Sequence, residues 1–364
     1  MMMGFAACAQ SSAPVLKSTS NSPTAHKQDQ SKFQKIGDVP EATGWRSLQF
    51  INDNEAWLGS SEKLWRTTNG GKDWELVYSA DSYEGHIWTV QLVDAREGFM
   101  HRFNGLYKTE DGGRTWTNGP PTPFDDGKGD LSLLKFRESG KVGWAGGGIF
   151  RPISQKELKG GVPNNTFNSA TKEVLDGALF RTDDGGQSWK RQPVSLTADR
   201  FFDLYFIDER RLLVLGSRGV FYTENEGGRW TLIKFRSECV DRRYLEEYEG
   251  RPLNAYFVDS KVGWMSFDDG RVVKSLDGGR SWCDLVRPGE IEFARPFDRY
   301  LSEIHFSDPV HGWGLGGDGL LYRTEDGGAR WQKIATDSKI DDMHFLDATH
   351  GWIVSKEGLF RIDP

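Results

Sequence analysis

The sequence predicts an all-β chain, a seven-bladed β-propeller of four-stranded blades, on three observations. A turn of the form "TEDGGRTW" recurs six times, each copy behind a short apolar strand such as "KLWR", "GLYK" or "GLLYR". Upstream of the turns lies a second recurring phrase, "KVGWAGG", "KVGWMSF", "HGWGLGG" or "HGWIVSK", itself preceded by a strand such as "LSLLKF", "LNAYFV", "LSEIHF" or "DDMHFL". The composition, with 14 Trp, 22 Phe and 43 Gly at 37% hydrophobic residues, suits short aromatic strands cut by tight turns rather than long helices. One unit is therefore four short antiparallel strands, which is a propeller blade.

The turns start at Thr67, Thr109, Thr182, Thr223, Ser275 and Thr324 and share the pattern Ser/Thr-x-Asp/Asn-x-Gly-x-x-Trp. The third position (Asn69, Asp111, Asp184, Asn225, Asp277, Asp326) supplies a side-chain oxygen for backbone N–H groups inside the turn. The fifth (Gly71, Gly113, Gly186, Gly227, Gly279, Gly328) takes the positive φ that reverses the chain. The eighth (Trp74, Trp116, Trp189, Trp230, Trp282, Trp331) opens the next strand and is large enough to wedge against a neighbouring sheet. Arg229 and Arg330 stand at the seventh position in place of a small hydroxyl residue, and looser turns are expected there. These residues resemble the Asp-box, or BNR, repeat of β-propellers.

The chain ends fix the number of blades. After the sixth turn the chain begins another unit, "MHFLDATHGWIVSKEGLFRIDP", which stops before its fourth strand. At the other end "FQKI", Phe33 to Ile36, matches "WQKI", the fourth strand of the sixth unit, so the N-terminal strand is expected to close the ring onto the C-terminal three. Closure removes an exposed sheet edge. Residues 33–364 are thus one propeller, residues 9–32 a polar flexible tether, and residues 1–8 the remnant of a lipoprotein-type signal ending at Cys8, the candidate lipidation site.

Strand parity sorts the loops. First and third connections of a blade lie on one side of the disc, second connections and interblade links on the other. The first side is short and uniform. The second carries the long segments: an insertion at 151–177 and the links "TNGPPTPFDDGKGD", "FRSECVDRRYLEEYEGRP" and "LVRPGEIEFARPFDRY". Rigid scaffolds carry function on variable loops, so this side is the expected binding face. Its candidates are Arg102, Arg151, Arg218, Arg242, Arg243, Tyr244, Tyr248, Arg271, Arg287, Phe293, Arg295, Phe297, Arg299 and Tyr300, because Arg and aromatic residues are enriched at protein interfaces. The same parity puts Cys239 and Cys283 at opposite ends of a strand of about seven residues, about 23 Å apart, so both are expected to be unpaired.

Other chemistry is sparse. A net charge of −7 speaks against a general nucleic-acid binder. No histidine spacing suggests zinc, no loop cradles phosphate, and no cofactor or metal is expected. Asp125/Asp126, Glu246/Glu247 and Asp268/Asp269 are acidic pairs that could in principle serve glycoside hydrolysis, though such pairs are usually solvated loop charges. "FRPI", Phe150 to Ile153, differs in order and place from the sialidase motif. Arg66, Lys108, Arg181, Lys274, Arg323 and Arg361, with Tyr222 the exception, precede the turns and are expected to ring the disc, pairing with acidic neighbours between blades.

Seven units of this pattern in a lipoprotein-like chain resemble the photosystem II stability and assembly factor family of propellers and its bacterial relatives outside photosynthesis. The resemblance implies a non-catalytic, monomeric scaffold that holds a membrane-protein or other macromolecular partner, tethered at the periplasmic face of a membrane or secreted. A sialidase-like or other glycan-acting hydrolase, or a lectin, is the alternative.

Overall fold

The computed structural model describes residues 33–41, 47–81, 85–102, 105–124, 129–161, 167–168, 172–196, 200–217, 219–233, 235, 250–286, 289–291, 299–334, 336, 338–347 and 350–362. Its strands form seven antiparallel sheets. The chain opens with β1 (Phe33–Gly37). Blade 1 holds β2 (Ser47–Phe50), β3 (Ala56–Gly59), β4 (Lys63–Thr67) and β5 (Glu75–Ser79), and blade 2 holds β6 (Ile87–Leu92), β7 (Gly98–Arg102), β8 (Gly105–Thr109) and β9 (Thr117–Asn118). Blade 3 holds β10 (Gly129–Phe136), β11 (Gly143–Pro152), the helix α1 (Gln155–Gly160), β12 (Phe167–Asn168), β13 (Glu173–Thr182) and β14 (Lys190–Leu196). Blade 4 is β15 (Phe201–Phe206), β16 (Leu212–Gly216), β17 (Gly219–Thr223) and β18 (Thr231–Leu232), and blade 5 is β19 (Pro252–Phe257), β20 (Gly263–Phe267), β21 (Val272–Ser275) and β22 (Cys283–Val286). Blade 6 is β23 (Leu301–Phe306), β24 (Gly312–Gly316), β25 (Leu321–Thr324) and β26 (Gln332–Ile334). Blade 7 joins β27 (Ile340–Phe345), β28 (Gly351–Ser355) and β29 (Gly358–Ile362) to β1, with Phe33 opposite Ile362 and Lys35 opposite Phe360.

The six turns are built alike. In blade 3, Thr182 Oγ1 accepts the Gly186 N–H at 2.8 Å, Asp184 Oδ1 accepts the Ser188 N–H at 2.9 Å, and Ser188 Oγ donates to Asp184 Oδ2 at 2.6 Å. Those bonds favour the ionised carboxylate and lower the Asp184 pKa to about 2. The reversing glycine lies at φ of 85° to 93° in every copy, and blade 4 also forces Glu226 to φ 57° where the others use a second glycine or its equivalent. The expected loosening does not occur at Arg330, whose Nε replaces the missing hydroxyl on Asp326 Oδ2 at 2.7 Å. Arg229 keeps only its backbone bond to Asn225. A third departure, Asp73, is held by Asn69 Nδ2 at 2.8 Å.

A second recurrent turn closes the first connection in six of the blades, with Ser139 standing at the equivalent place in blade 3. Asn52, Asp94, Asp208, Asp259, Asp308 and Asp347 accept backbone N–H groups two or three residues on. The two turns of a blade then zip together, as in Gly70 N–H to Asn54 O, Gly112 to Arg96, Gly185 to Lys141, Glu226 to Arg210, Gly278 to Lys261 and Gly327 to Val310. This fixes first and third connections on one side, as parity requires. His311 and His350 belong to this device, each bonding through Nδ1 to the Asp three residues earlier.

The cores lie between blades rather than within them. The aromatic of each second strand packs on the last residue of the next blade's first strand. Trp264 stacks on Phe306 at 3.5 Å and 3°, Phe99 on Phe136 at 3.8 Å and 9°, and Trp352 on Phe50 at 3.9 Å and 10° across the closing seam. The turn tryptophans complete each wedge edge-on, as Trp331 does against Phe306 at 5.8 Å. Blade 4 is the exception, presenting Leu213 at this position.

The basic residues before the turns face the second-strand aromatic across the ladder. Arg66 lies 5.2 Å from Trp57, Arg181 5.3 Å from Trp144, Lys274 4.6 Å from Trp264, Arg323 5.4 Å from Trp313 and Arg361 5.6 Å from Trp352. Arg181 does pair with Glu226 of the next blade at 3.0 Å. Others pair with acids of their own blade, Arg66 with Glu55, Lys108 with Glu110 and Arg323 with Glu325, while toward the next blade Arg66 donates to Ala95 O and Lys274 to Pro309 O. These cations are part of the scaffold.

Two expectations need correction. Cys283 is disulfide-bonded, not a free thiol. The 23 Å separation assumed a strand of about seven residues, whereas β22 has four; the other two cysteines, Cys8 and Cys239, lie outside the described residues. The 151–177 insertion is also not simply a loop. β11 and β13 continue as a ladder to the Pro152–Glu173 pair, and α1 is capped by Ser154 and Glu157 in a reciprocal box.

Candidate partner-binding site

Links and second connections meet on the other side of the disc. Ile87 N–H donates to Ser61 O, Asp268 to Arg251 O, Gly317 to Tyr300 O and Ile340 to Gly319 O. Gly270, at φ 88°, allows the Arg299 carbonyl to approach where a Cβ would lie 2.4 Å from it. Of the expected binding residues, Arg218, Arg242, Arg243, Tyr244, Tyr248, Arg287, Phe293, Arg295 and Phe297 fall outside the described residues.

The remaining five are not equivalent. Arg151 is held by Glu157 and by Asp176 at 3.3 Å, and this pairing lowers the Glu157 pKa to about 2. Arg271 Nε donates to Asp269 Oδ2 at 2.6 Å. Tyr300 packs on Gly317. Arg299 is exposed. Arg102, at the end of β7, lies against two rings, with Cζ 4.1 Å from Tyr107 and 5.4 Å from Tyr78. Its Nε is buried without a hydrogen-bond partner.

The sequence reading missed Trp88. In six of the seven first strands the register slips at one place, between Ile87 and Thr89 in β6 and at the matching positions of β10, β15, β19, β23 and β27. The bulge re-aims one residue per blade at the inner rim of this face. In blade 2 that residue is Trp88, 49% exposed and next to the Ile87–Arg102 pair. Aligning the first strands would have shown it, since Ser132, Phe202, Leu253, Ser302 and Asp341 stand at its equivalents.

The opposite side is less uniform than expected. Grooves of about 1030 Å³ and 820 Å³ flank the blade 4 turn, where Leu213 and Tyr222 replace the usual aromatic–cation pair. Much of their charge is internally paired: Arg211 with Asp208, Arg280 with Glu224, and Tyr222 OH with Glu224. Arg210 and Arg229 are exposed there.

Polar side chains of the first strands link blade to blade around the axis. Gln49 exchanges two bonds with the Leu92 backbone and Gln91 two with Phe136. Asn254 bridges Tyr205 OH and the Ile304 N–H. Asp342 accepts the Leu48 N–H at 2.6 Å across the closing seam and shares a hydrogen bond with Glu303. Burial, with the neighbouring carboxyl, raises the Glu303 pKa well above its ordinary value, and burial pushes Asp342 up to about 6. The native state therefore holds a proton here. Stability from the raised carboxyl pKa values is fully present below the unfolded values near 4; the Asp342 share is lost as pH rises through about 6, and the Glu303 share as pH rises through its own raised value. Burial lowers His305 to about 3 and His344 to about 4, so they act in the opposite sense, stability falling as pH drops below 6.5. Glu303→Gln leaves that histidine contribution unchanged. In denaturant titrations the variant should match the wild type at pH 4 and become progressively more stable than it as pH rises toward 8; an advantage independent of pH would contradict a shared proton.

Hydrolase chemistry finds no constellation among the described residues. Asp268 accepts the Arg251 N–H and Asp269 pairs with Arg271. Asp125/Asp126 and Glu246/Glu247 lie outside the described residues. The described part of the disc is a set of locked seams with one inner rim of aromatic and cationic groups.

Known proteins share the fold. The family model described as photosynthesis system II assembly factor YCF48 matches residues 242–341. The chain is thus a seven-bladed β-propeller that is similar to the photosystem II assembly factors over part of its length. It is 30% identical over 76 residues to the photosystem II stability/assembly factor HCF136, chloroplastic, of Arabidopsis thaliana, a match spanning 21% of this chain and 19% of that relative's length. The solved structure of YCF48 bound to D1 peptide superposes with a TM-score of 0.59 at 21% identity, covering 92% of this chain and 98% of the other. An ancestral GH74 enzyme superposes with a TM-score of 0.60 at 15% identity, but this chain covers only 46% of it.

Proposed function

We propose that this assembly factor-like propeller is a non-catalytic scaffold that binds a membrane-protein partner through its variable-loop face. The observations that carry the reading lie on blade 2, where Arg102 rests against two tyrosine rings without a carboxylate partner and Trp88, in the bulge of the first strand, is half exposed. On the opposite face the repeated cations before the turns are engaged in blade-to-blade contacts. The similarity to YCF48, solved with a D1 peptide, supports the class of partner. The GH74 likeness supports the fold that a glycan-acting protein would share.

The disulfide at Cys283 favours an oxidising compartment. We place the protein on that basis at the periplasmic face of a membrane, with Cys8 as the lipidated anchor and the propeller acting as a monomer. Crosslinking in native membranes should recover a membrane protein attached to the chain. Recovery of none, together with turnover of a sialoside or β-glucan, would replace the scaffold by the hydrolase.

A further inference from the structure

Each seam of the ring is crossed near the axis by a polar link from a first strand, and the links differ in chemistry. Gln49 to the Leu92 backbone and Gln91 to the Phe136 backbone tie blades 1, 2 and 3. Lys135 Nζ lies 3.6 Å from Asp203 Oδ1 between blades 3 and 4. Asn254 Nδ2 donates to Tyr205 OH at 2.9 Å and its Oδ1 accepts the Ile304 N–H at 3.0 Å, joining blades 4, 5 and 6. The last two seams, both on blade 7, depend on one pair of acids. Glu303 of blade 6 is hydrogen-bonded to Asp342, and Asp342 Oδ2 accepts the Leu48 N–H of blade 1 at 2.6 Å. We propose that Glu303 and Asp342 form a proton-operated clasp: with the proton in place blade 7 is fastened to both neighbours, and its loss releases blade 7 before any other blade.

Two carboxyl groups hydrogen-bond to each other only when one of them carries a proton, whereas an amide-to-backbone link needs none. The groups around the pair do not stand in for that proton. Lys135, the cation whose charge reaches Glu303, is already paired with Asp203, and Asp203 also accepts the Tyr205 hydroxyl at 2.6 Å. Asp341 adds a further negative charge beside Asp342. His344 and His305, on the same two strands, are lowered by burial to about 4 and about 3 and are neutral over the pH range of the clasp. His344 faces the Phe50 N–H at 3.4 Å, while His305 stacks on Phe345 at 3.9 Å, with Tyr256 OH 3.5 Å from its Nε2 and the Asp347 charge in reach. Deprotonation therefore sets two buried anions against each other without a new countercharge. The repulsion falls on a blade assembled from both ends of the propeller, in which β1 is joined to β29 by hydrogen bonds across the ladder. Asp341, in the bulge of β27, is also the rim residue of blade 7, so release of the clasp reaches the loop face.

Hydrogen–deuterium exchange of the full chain, read by mass spectrometry between pH 5.5 and 8 and corrected for the intrinsic pH dependence of amide exchange, tests the clasp. Opening of blade 7 should grow about tenfold per pH unit, the change for one proton held only by the closed state. Protection of β27 and β2 should fall accordingly, while β6 and β7 of blade 2 keep theirs. Glu303→Gln, whose amide donates to Asp342 at any pH, should hold β27 and β2 at their pH 5.5 protection throughout. Asp342→Asn, which still accepts the Leu48 N–H, should do the same and decides in its place if Glu303→Gln does not fold. An equal loss of protection in all seven blades would make the pair a contributor to overall stability alone and overturn the clasp. Protection of wild-type β27 that does not change with pH, or an undiminished pH response in a folded variant, would overturn it as well.

Discussion

Trp264→Ala is expected to lower the stability of the propeller by about 3–5 kcal/mol, the range for deleting a fully buried aromatic. The indole has no exposed surface, stacks on Phe306 of the next blade, and donates its N–H to Gly327 O at 2.8 Å. Its removal opens a cavity at the blade 5–6 seam, strands a buried carbonyl, and takes away the ring facing Lys274. A seam cannot collapse easily, because each blade is also held by its other neighbour. Chemical denaturation should show the loss as a lower midpoint. A change below about 1 kcal/mol would mean that the seams are not the main core.

Removing β1 is expected to have the second-largest effect. Truncation before Glu41 strips the outer partner from β29 and removes Phe33 and Ile36, which pack on the two seams flanking blade 7. The partial burial of these side chains is worth about 2–4 kcal/mol. The bared edge of β29 is then a template for pairing with another chain. Size-exclusion chromatography with light scattering should show a larger mass than for the intact chain, along with a lower melting temperature. A truncated protein that stays monomeric and melts unchanged would show that β1 does not close the ring.

The sequence made these features legible to very different degrees. The turns were readable because one chemical task, an oxygen accepting N–H groups ahead of a reversing glycine, admits few residue types, and ring closure followed from the match of Phe33–Ile36 with Trp331–Ile334. The turn of each first connection was equally readable, as an Asp or Asn at a fixed offset, but it lay in short loops that seemed to need no explanation. The axial belt was not readable. Gln49, Gln91, Asn254, Glu303 and Asp342 bridge blades with different chemistry at related positions, so no residue pattern marks them. The Cys283 disulfide escaped because the strand was taken to be longer than it is. In the candidate site, Arg102 was recognised by type and parity, but its tyrosine neighbours depend on two blades coming together, and Trp88, whose place an alignment of the first strands marks, stands out only once the ladder register shows a bulge there.

Everything functional in this account turns on which side of the disc meets the partner. A photo-crosslinking amino acid placed in turn at Trp88, Arg299, Arg210 and Arg229, in native membranes, reads this directly. Adducts with a membrane protein should form from positions 88 and 299 and be absent from 210 and 229. Adducts confined to 210 and 229 would move the partner to the grooves around the blade 4 turn and contradict the assignment.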